Sequence, residues 1–387
     1  MNSNSIHFKN FNNNFPSRCK VCSKESNYIS DYLGICLECI RNYPEKTKNY
    51  ILNTHKKTRQ NFNLPETPPK DKEGIRCGLC VNNCRIGIDK IGYCGLRKNI
   101  DGNIGNLTHL KDNRSDVALL EYYYDPLPTN CVADWVCAGC SSSGYPKYSY
   151  YPGVEYGYKN LAVFFGACSL NCLFCQNWHF RDLTKNLSPT VSVDELVESI
   201  DSKTSCICFF GGDPSTQMDF AINVSKKALK NKKNKILRIC WETNGTMSKK
   251  YLREAVELSL ISGGCIKFDL KAFDENLFFA LTGSFNYNTL KNFEIASSYA
   301  QERKEPPLVI ASTLLVPGYI DEKEIEKISS FIYKCNPEIP YKLLGFYPQF
   351  YMSDLPPTSK KLAYSCLEVA KRCGLKNVDI GNRHLLT

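Results

Sequence analysis

An α/β protein organised around a parallel sheet is what this sequence predicts, on three observations. From about residue 159 onward, short β-rich apolar runs alternate with amphipathic segments. Several of those segments open with helix-capping residues. The residues able to carry chemistry stand just after the apolar runs, at the strand ends where α/β sheets and barrels place functional groups.

The elements follow in order. Runs at 161–166 (LAVFFG), 205–210 (SCICFF), 236–241 (ILRICW), 265–270 (CIKFDL), 308–315 (LVIASTLL) and 341–346 (YKLLGF) read as strands. Segments near 192–201, 216–230, 248–261, 287–303, 321–335 and 358–373 read as helices, with Ser192/Glu195 and Asp321/Glu324 as capping pairs. Six or so βα units imply crossover helices on a parallel sheet, open or curled into a barrel. Two regions precede it. Residues 1–70 hold one cysteine quartet and end in TRQNFNLPETPPKDKEG, a linker by composition. Residues 71–158 hold two more cysteine groups among many Gly, Asn and Tyr, with little periodicity.

Composition bounds the function. A chain of 387 residues suits one large domain plus something smaller, and 43% hydrophobic content supports a sizeable core. No run approaches the ~18 apolar residues of a membrane span. The opening MNSNSIHFKNFNNN lacks the apolar stretch of a signal peptide, so a cytoplasmic protein with no membrane partner is expected. There are 21 cysteines and five histidines. Disulfides do not persist in a reducing compartment, where clustered thiols mean metal. The net charge of +10 comes from scattered lysines. The densest run, Lys226 to Lys235, reads as a solvated helix face and the loop after it, so no nucleic-acid partner is expected.

Directly after the first strand stands Gly166-Ala-Cys168-Ser-Leu-Asn-Cys172-Leu-Phe-Cys175-Gln-Asn-Trp. Three thiolates on one short loop can hold three irons of a [4Fe-4S] cube and leave the fourth open. An open iron can be chelated by the amino and carboxylate groups of S-adenosylmethionine (SAM), whose reductive cleavage yields a 5′-deoxyadenosyl radical. A zinc knuckle is the competing reading. It needs a fourth ligand, for which only His179 is near in sequence. Further motifs close later strands: Gly211-Gly212-Asp213-Pro214, Glu242-Thr243-Asn244-Gly245, Asp269-Leu-Lys271 and Val316-Pro317-Gly318. Each alone also reads as a turn or a surface ion pair.

Taken with the tail Phe346-Tyr347-Pro348, this ordered series resembles the radical SAM superfamily. It is most similar to enzymes related to the pyruvate formate-lyase activating enzyme and to the AmmeMemoRadiSam type. The likeness covers residues 76–97 (RCGLCVNNCRIGIDKIGYCGLR) and nearly all of 160–387. It implies a partial (β/α)6 barrel, and a cluster on Cys168, Cys172 and Cys175. It also implies SAM contacts from Phe174, Asn177, Gly211, Gly212, Asp213, Glu242, Thr243, Asn244, Asp269, Lys271 and Val316. The family commonly has Glu where Asp213 stands, and the shorter side chain reduces the reach toward the SAM ammonium.

Other cysteines group by spacing. Cys19-x-x-Cys22 and Cys36-x-x-Cys39, thirteen residues apart, have the pattern of a tetrahedral zinc site, with rubredoxin-like iron as competitor. Cys77, Cys80, Cys84 and Cys94 resemble the N-terminal element of the AmmeMemoRadiSam group, and zinc or a second Fe–S cluster would suit them. Cys131, Cys137 and Cys140 lack an obvious fourth ligand and read as a metal group completed by a distant Cys, or as plain thiols. Cys206, Cys208, Cys240, Cys265, Cys335, Cys366 and Cys373 lie in strand or helix patterns and read as small buried hydrophobes. His384 reads as a tail histidine.

The expectation is therefore a radical SAM (β/α)6 partial barrel over 159–387, behind a zinc-ribbon-like module with its linker (1–70) and a Cys-rich metal-binding region (71–158). It would cleave SAM at a [4Fe-4S] cluster and abstract hydrogen from a carbon of a peptide or protein, with ferredoxin or flavodoxin as reductant. A cobalamin-dependent radical SAM methyltransferase is the alternative enzyme, although no D-x-H-x-x-G corrinoid motif occurs. A non-catalytic zinc-ribbon interaction protein is the alternative of another class.

Overall fold

The structure is a computed structural model that describes residues 16–231 and 234–387. The polar stretch 1–14 and residues 232 and 233 of the lysine run lie outside the described residues. Nine strands form the main sheet: β1 Val117–Pro126, β2 Lys159–Phe165, β3 Thr190–Ser192, β4 Thr204–Gly211, β5 Arg238–Thr243, β6 Ile266–Asp269, β7 Val309–Leu315, β8 Tyr341–Gly345 and β9 Val378–Gly381. Their order is β9-β8-β7-β6-β5-β4-β2-β1-β3. Neighbours from β2 to β9 pair in parallel. Strand β1 runs antiparallel to β2, and β3 antiparallel to β1.

The parallel strands read as continuous apolar runs because both faces are covered. Leu161, Val163 and Phe165 of β2, and Ile207 and Phe209 of β4, are all buried. Helices return between strands, including Met218–Asn231, Lys249–Ser262, Glu322–Cys335 and Lys360–Arg372. The Ser192 hydroxyl accepts from Glu195 N at 3.2 Å and the Asp321 carboxylate from Glu324 N at 2.9 Å, so both capping pairs close helix starts. The sheet curls rather than lying flat: side chains from β4 to β8, with those of the loop after β2, surround a single cavity.

Three departures from the sequence reading have physical causes. The sheet begins at Val117, not near residue 159. Its first four residues are buried on both faces and the rest only half covered, so no clean alternation marks the strand. The described part of the region 1–70 also packs against the barrel. Ile29, Leu33, Ile35, Ile40, Ile51 and Phe62 belong to the same buried core as the barrel strands. Its main helix, Pro44–Gln60, hides this because its covered face includes Thr47, Thr54, His55, Thr58 and Arg59, polar groups admitted by hydrogen bonds. The supposed linker starts inside that helix and then buries Phe62.

The N-terminal segment docks at the C-terminal end of β7. Arg41 grips Asp321 through two bonds of 2.8 Å and Glu324 at 2.9 Å. The Tyr319 hydroxyl accepts from Ser30 N at 3.0 Å and donates to Ile35 O at 3.1 Å. Gly318, at φ +80°, lies under Tyr28, where a Cβ would stand 2.1 Å from Tyr28 O.

At the opposite end, the segment 127–158 underlies the barrel bore. Glu155 and Arg238 form a bidentate pair there at 2.8 and 2.6 Å. Their side chains are 0% and 3% exposed. Tyr150 N also donates to Glu155, and Ser205 Oγ accepts from Arg238, so the buried charges are satisfied. Glu155→Ala leaves the Arg238 guanidinium buried without its partner. It should cost about 3–5 kcal/mol of unfolding free energy, read by denaturant titration. Glu38→Ala, which removes an exposed pair with Lys24, should change stability by less than about 1 kcal/mol.

Candidate active site

The loop after β2 carries three thiols and is held from all sides. Asn171 N donates to Thr282 O at 2.8 Å and Leu173 N to Leu281 O at 3.0 Å, fixing it to the end of helix Glu275–Thr282. Asn82 Nδ2 donates to Ser169 O at 2.6 Å, and Asn177 Nδ2 to Gly211 O at 3.1 Å. The remaining anchor is His55. Its Nε2 faces the Ala280 carbonyl at 3.0 Å and must donate, which leaves Nδ1 to accept from Asn171 Nδ2 at 3.0 Å. Burial pulls His55 down to about 4, so the imidazole stays neutral.

The thiols open onto a cavity of about 230 Å³ at the mouth of the barrel. It is lined by Cys168, Cys172, Cys175, Phe174, Asn177, Gly211, Gly212, Asp213, Glu242, Thr243, Asn244, Asp269 and Lys271. Val316 is buried elsewhere, and Ser312 and Leu314 represent β7 instead. Burial pushes Cys172 up to about 12 even though Lys271 opposes it, and raises Cys168 well above the ordinary thiol range. Bare thiolate charge is disfavoured here, which a cationic iron core bonded to the sulfurs would neutralise.

Two cations face the same space. Lys271 pairs with Asp269 and lies 5.5 Å from the centre of the Phe174 ring. Burial disfavours its charge, but Asp269 and the nearby thiols outweigh that and raise it above the usual lysine range. Arg181, 1% exposed, stacks on Phe180 and Phe350, and its Nη2 donates to Asn171 Oδ1 at 3.2 Å. Its Nη1 is buried without a hydrogen-bond partner, and the residue lines the cavity. A guanidinium, a lysine and three thiols on one cavity fit a three-cysteine cluster with a carboxylate-bearing ligand.

The turn motifs have structural duties of their own. Asp213 accepts from Asn244 N at 2.6 Å, from Ser215 N at 2.8 Å and from Thr243 Oγ1 at 3.2 and 3.3 Å. Its carboxylate thus clamps the β4 end to the β5 end. Burial raises it above the usual carboxylate range, against the pull of these donors. Gly212 is needed for packing, because a Cβ there would stand 2.3 Å from Ala167 O. Asn244 Nδ2 donates to Ser169 Oγ at 3.0 Å and lies 3.7 Å from Cys168 Sγ.

Sequence reasoning missed Arg181 and Ser312. Arg181 belongs to no motif and sits in helix Phe180–Asn186. Ser312 lies in an apolar run but pairs in register with Asp269, so strand pairing alone would have found it. His179 stacks on Phe164 at 4.5 Å, and His384 is exposed.

The other cysteine groups separate clearly. The sulfurs of Cys19, Cys22, Cys36 and Cys39 all lie within 4.8 Å of one another, close enough for one ion. Cys77, Cys80, Cys84 and Cys94 surround a smaller cavity. Their loop joins the β5 end through Val81 N to Thr246 O and Ser248 N to Leu79 O. Cys131 and Cys137 rise into the bore and meet Cys208, Cys240 and Cys265, which are buried as expected in one cluster with Ala133 and Ile310.

Residues 162–332 match the Radical SAM superfamily. An uncharacterized protein of Methanocaldococcus jannaschii is 23% identical over 320 residues, 81% of this chain and 82% of that one. A second protein of that organism, provisionally named a glycyl-radical enzyme activating enzyme, is 29% identical over 46% of this chain and 64% of its own length. The isethionate sulfite-lyase activating enzyme of Desulfovibrio desulfuricans is 31% identical over 35% of this chain and 40% of that protein. The matches therefore span less than two thirds of these two named relatives. A solved domain of a pyruvate-formate lyase-activating enzyme from Bacteroides vulgatus superposes with TM-score 0.36 and 18% identity, over 45% of this chain and 98% of that one.

Two outcomes follow from the geometry. Lys271→Ala should weaken SAM binding about ten- to a hundredfold, the worth of a charge-assisted hydrogen bond, with iron and sulfide content unchanged. Equilibrium binding on reconstituted protein reads it. His55 is protonated in the unfolded chain below about pH 6.5 but stays neutral when folded down to about 4. Its contribution is thus present above pH 6.5 and lost as pH falls through that window, by up to about 3 kcal/mol. Denaturant titrations of wild type and His55→Gln between pH 4 and 7 should show that extra loss in wild type alone.

Proposed function

This chain carries a radical SAM domain over residues 162–332, and from that premise we propose that it is a protein-modifying enzyme that abstracts hydrogen from a carbon of a peptide or protein partner. The observation that carries the reading is the meeting of Cys168, Cys172, Cys175, Lys271 and Arg181 on one cavity at the barrel mouth. Two of the relatives with informative names are called activating enzymes, and they support the choice of a macromolecular substrate.

When bound, the [4Fe-4S] cluster and SAM supply one-electron C–S cleavage and the radical that takes the hydrogen. The chain's own residues bind and orient. Cys168, Cys172 and Cys175 hold three irons. Lys271 would pair with the SAM carboxylate, with the buried Arg181 guanidinium adding positive charge to the cavity wall. Gly211 and Gly212 bring backbone to the ligand's edge, and Asp213 holds the β4 and β5 ends at fixed separation. A single-electron carrier such as ferredoxin or flavodoxin provides the reductant, in a cytoplasm reducing enough to keep so many thiols open. The first cysteine quartet takes zinc; the second takes zinc or a further cluster.

Anaerobically reconstituted protein given dithionite and SAM should release 5′-deoxyadenosine. The triple change of Cys168, Cys172 and Cys175 to Ala should abolish that release, and persistence would sink the assignment. Corrinoid analysis, together with mass spectrometry of candidate partner proteins, distinguishes the reactions. Bound cobalamin with a methyl group added to the partner would replace hydrogen abstraction with methyl transfer.

A further inference from the structure

Beneath the active-site cavity the barrel bore is lined with sulfur. Cys208 on β4, Cys240 on β5 and Cys265 just before β6 are buried there, and Cys131 and Cys137 come up from below to meet them. With Cys206 they line one cavity of about 100 Å³. Branched aliphatic side chains ordinarily fill such a bore in layers. Cysteine is shorter than those side chains, and the space between these thiols is left open.

The void is also charged. Lys267, with its side chain 2% exposed, points its ammonium into the ring of thiols. Its Nζ stands 3.1 Å from Cys131 Sγ, 3.1 Å from Cys208 Sγ and 2.9 Å from Glu242 Oε1. Cys240 and Cys265 close the far side with their sulfurs 4.0 Å apart. A buried cation needs anionic surroundings. Glu242 provides one negative charge, and sulfurs bonded to metal would provide more.

We propose that the bore binds an iron–sulfur cluster, ligated by Cys131, Cys208, Cys240 and Cys265, with Lys267 donating hydrogen bonds to its sulfur shell. A lone zinc ion does not suit this ring. Zinc gathers sulfur, nitrogen or oxygen ligands tightly around one point, as Cys19, Cys22, Cys36 and Cys39 can, and among the described residues the bore thiols and Glu242 form no such tight set. A cluster is bulkier, spreads its ligands further apart and uses the void. Hydrogen bonds to sulfur are a recognised lever on cluster potential, and Lys267 is placed to apply one. Phe210, Glu242 and Lys267 line both this cavity and the active-site cavity above it, so the two centres would be neighbours along the barrel axis.

The test counts metal in full-length protein that lacks Cys168, Cys172 and Cys175, so it does not depend on SAM chemistry. After anaerobic reconstitution with iron and sulfide, adding Cys208→Ala and Cys240→Ala to that triple variant should remove about two to four irons per chain and as many sulfides. Adding Cys366→Ala, at a buried cysteine on helix Lys360–Arg372, should remove none. The second quartet is present in every arm and cancels. Should the double change prevent folding, Cys131→Ala leaves the strands intact and should give the same loss, while Lys267→Met should retain the iron and shift the electron paramagnetic resonance of the reduced cluster. Equal iron and sulfide with and without the bore thiols, or zinc bound there in place of iron, overturns the proposal.

Discussion

Everything at the barrel mouth depends on keeping a loop with no regular hydrogen-bond ladder still while it presents three thiols. Its backbone groups are buried, and each one left unpaired would cost about 1–3 kcal/mol. Asn82 from the second cysteine region and Leu281 and Thr282 from a crossover helix pair its backbone, while His55 from the N-terminal helix and Gly211 from the β4 end hold its Asn171 and Asn177 side chains. The consequence is a single cooperative unit. The N-terminal segment cannot be regarded as an accessory to the barrel, because one of its side chains sets the shape of the loop.

The same economy governs the motifs around the cavity. Asp213 spends its lone pairs on Asn244, Ser215 and Thr243, so its place in the site is to fix two strand ends. The cationic character of the cavity comes from Lys271 and Arg181, and that of the bore from Lys267. Each cation is held in place by a neighbour rather than by solvent: Asp269, Asn171 and Glu242 respectively.

Most of the barrel was legible because its strands are buried on both faces and end in short polar motifs. The six apolar runs correspond to β2 and β4 to β8, and the capping pairs at Ser192 and Asp321 mark helix starts where expected. What escaped has one cause: burial carried by residues that do not look apolar. The helix Pro44–Gln60 inserts His55 and Arg59 into the core, β1 begins with two-sided burial, and Arg181 hides between Phe180 and Phe350. Likewise Cys208, Cys240 and Cys265 read as ordinary strand residues one at a time. Only the parallel register, which sets Cys208 opposite Cys240, brings them to one wall.

The docking of the N-terminal segment also bears on how the protein is made. Ser30 hydrogen-bonds Tyr319, a partner 289 positions later. At ordinary translation rates of about 5–20 residues per second, the earlier residue waits on the order of 15–60 s for the later one to emerge. During that wait Ile29, Leu33, Ile35 and Ile40 have no barrel to pack against. The four sulfurs from Cys19 to Cys39, by contrast, lie within a short stretch and can gather as soon as it is synthesised. The nascent chain is therefore exposed to premature association through that apolar surface, and local capture of an ion by the quartet would be its earliest protection.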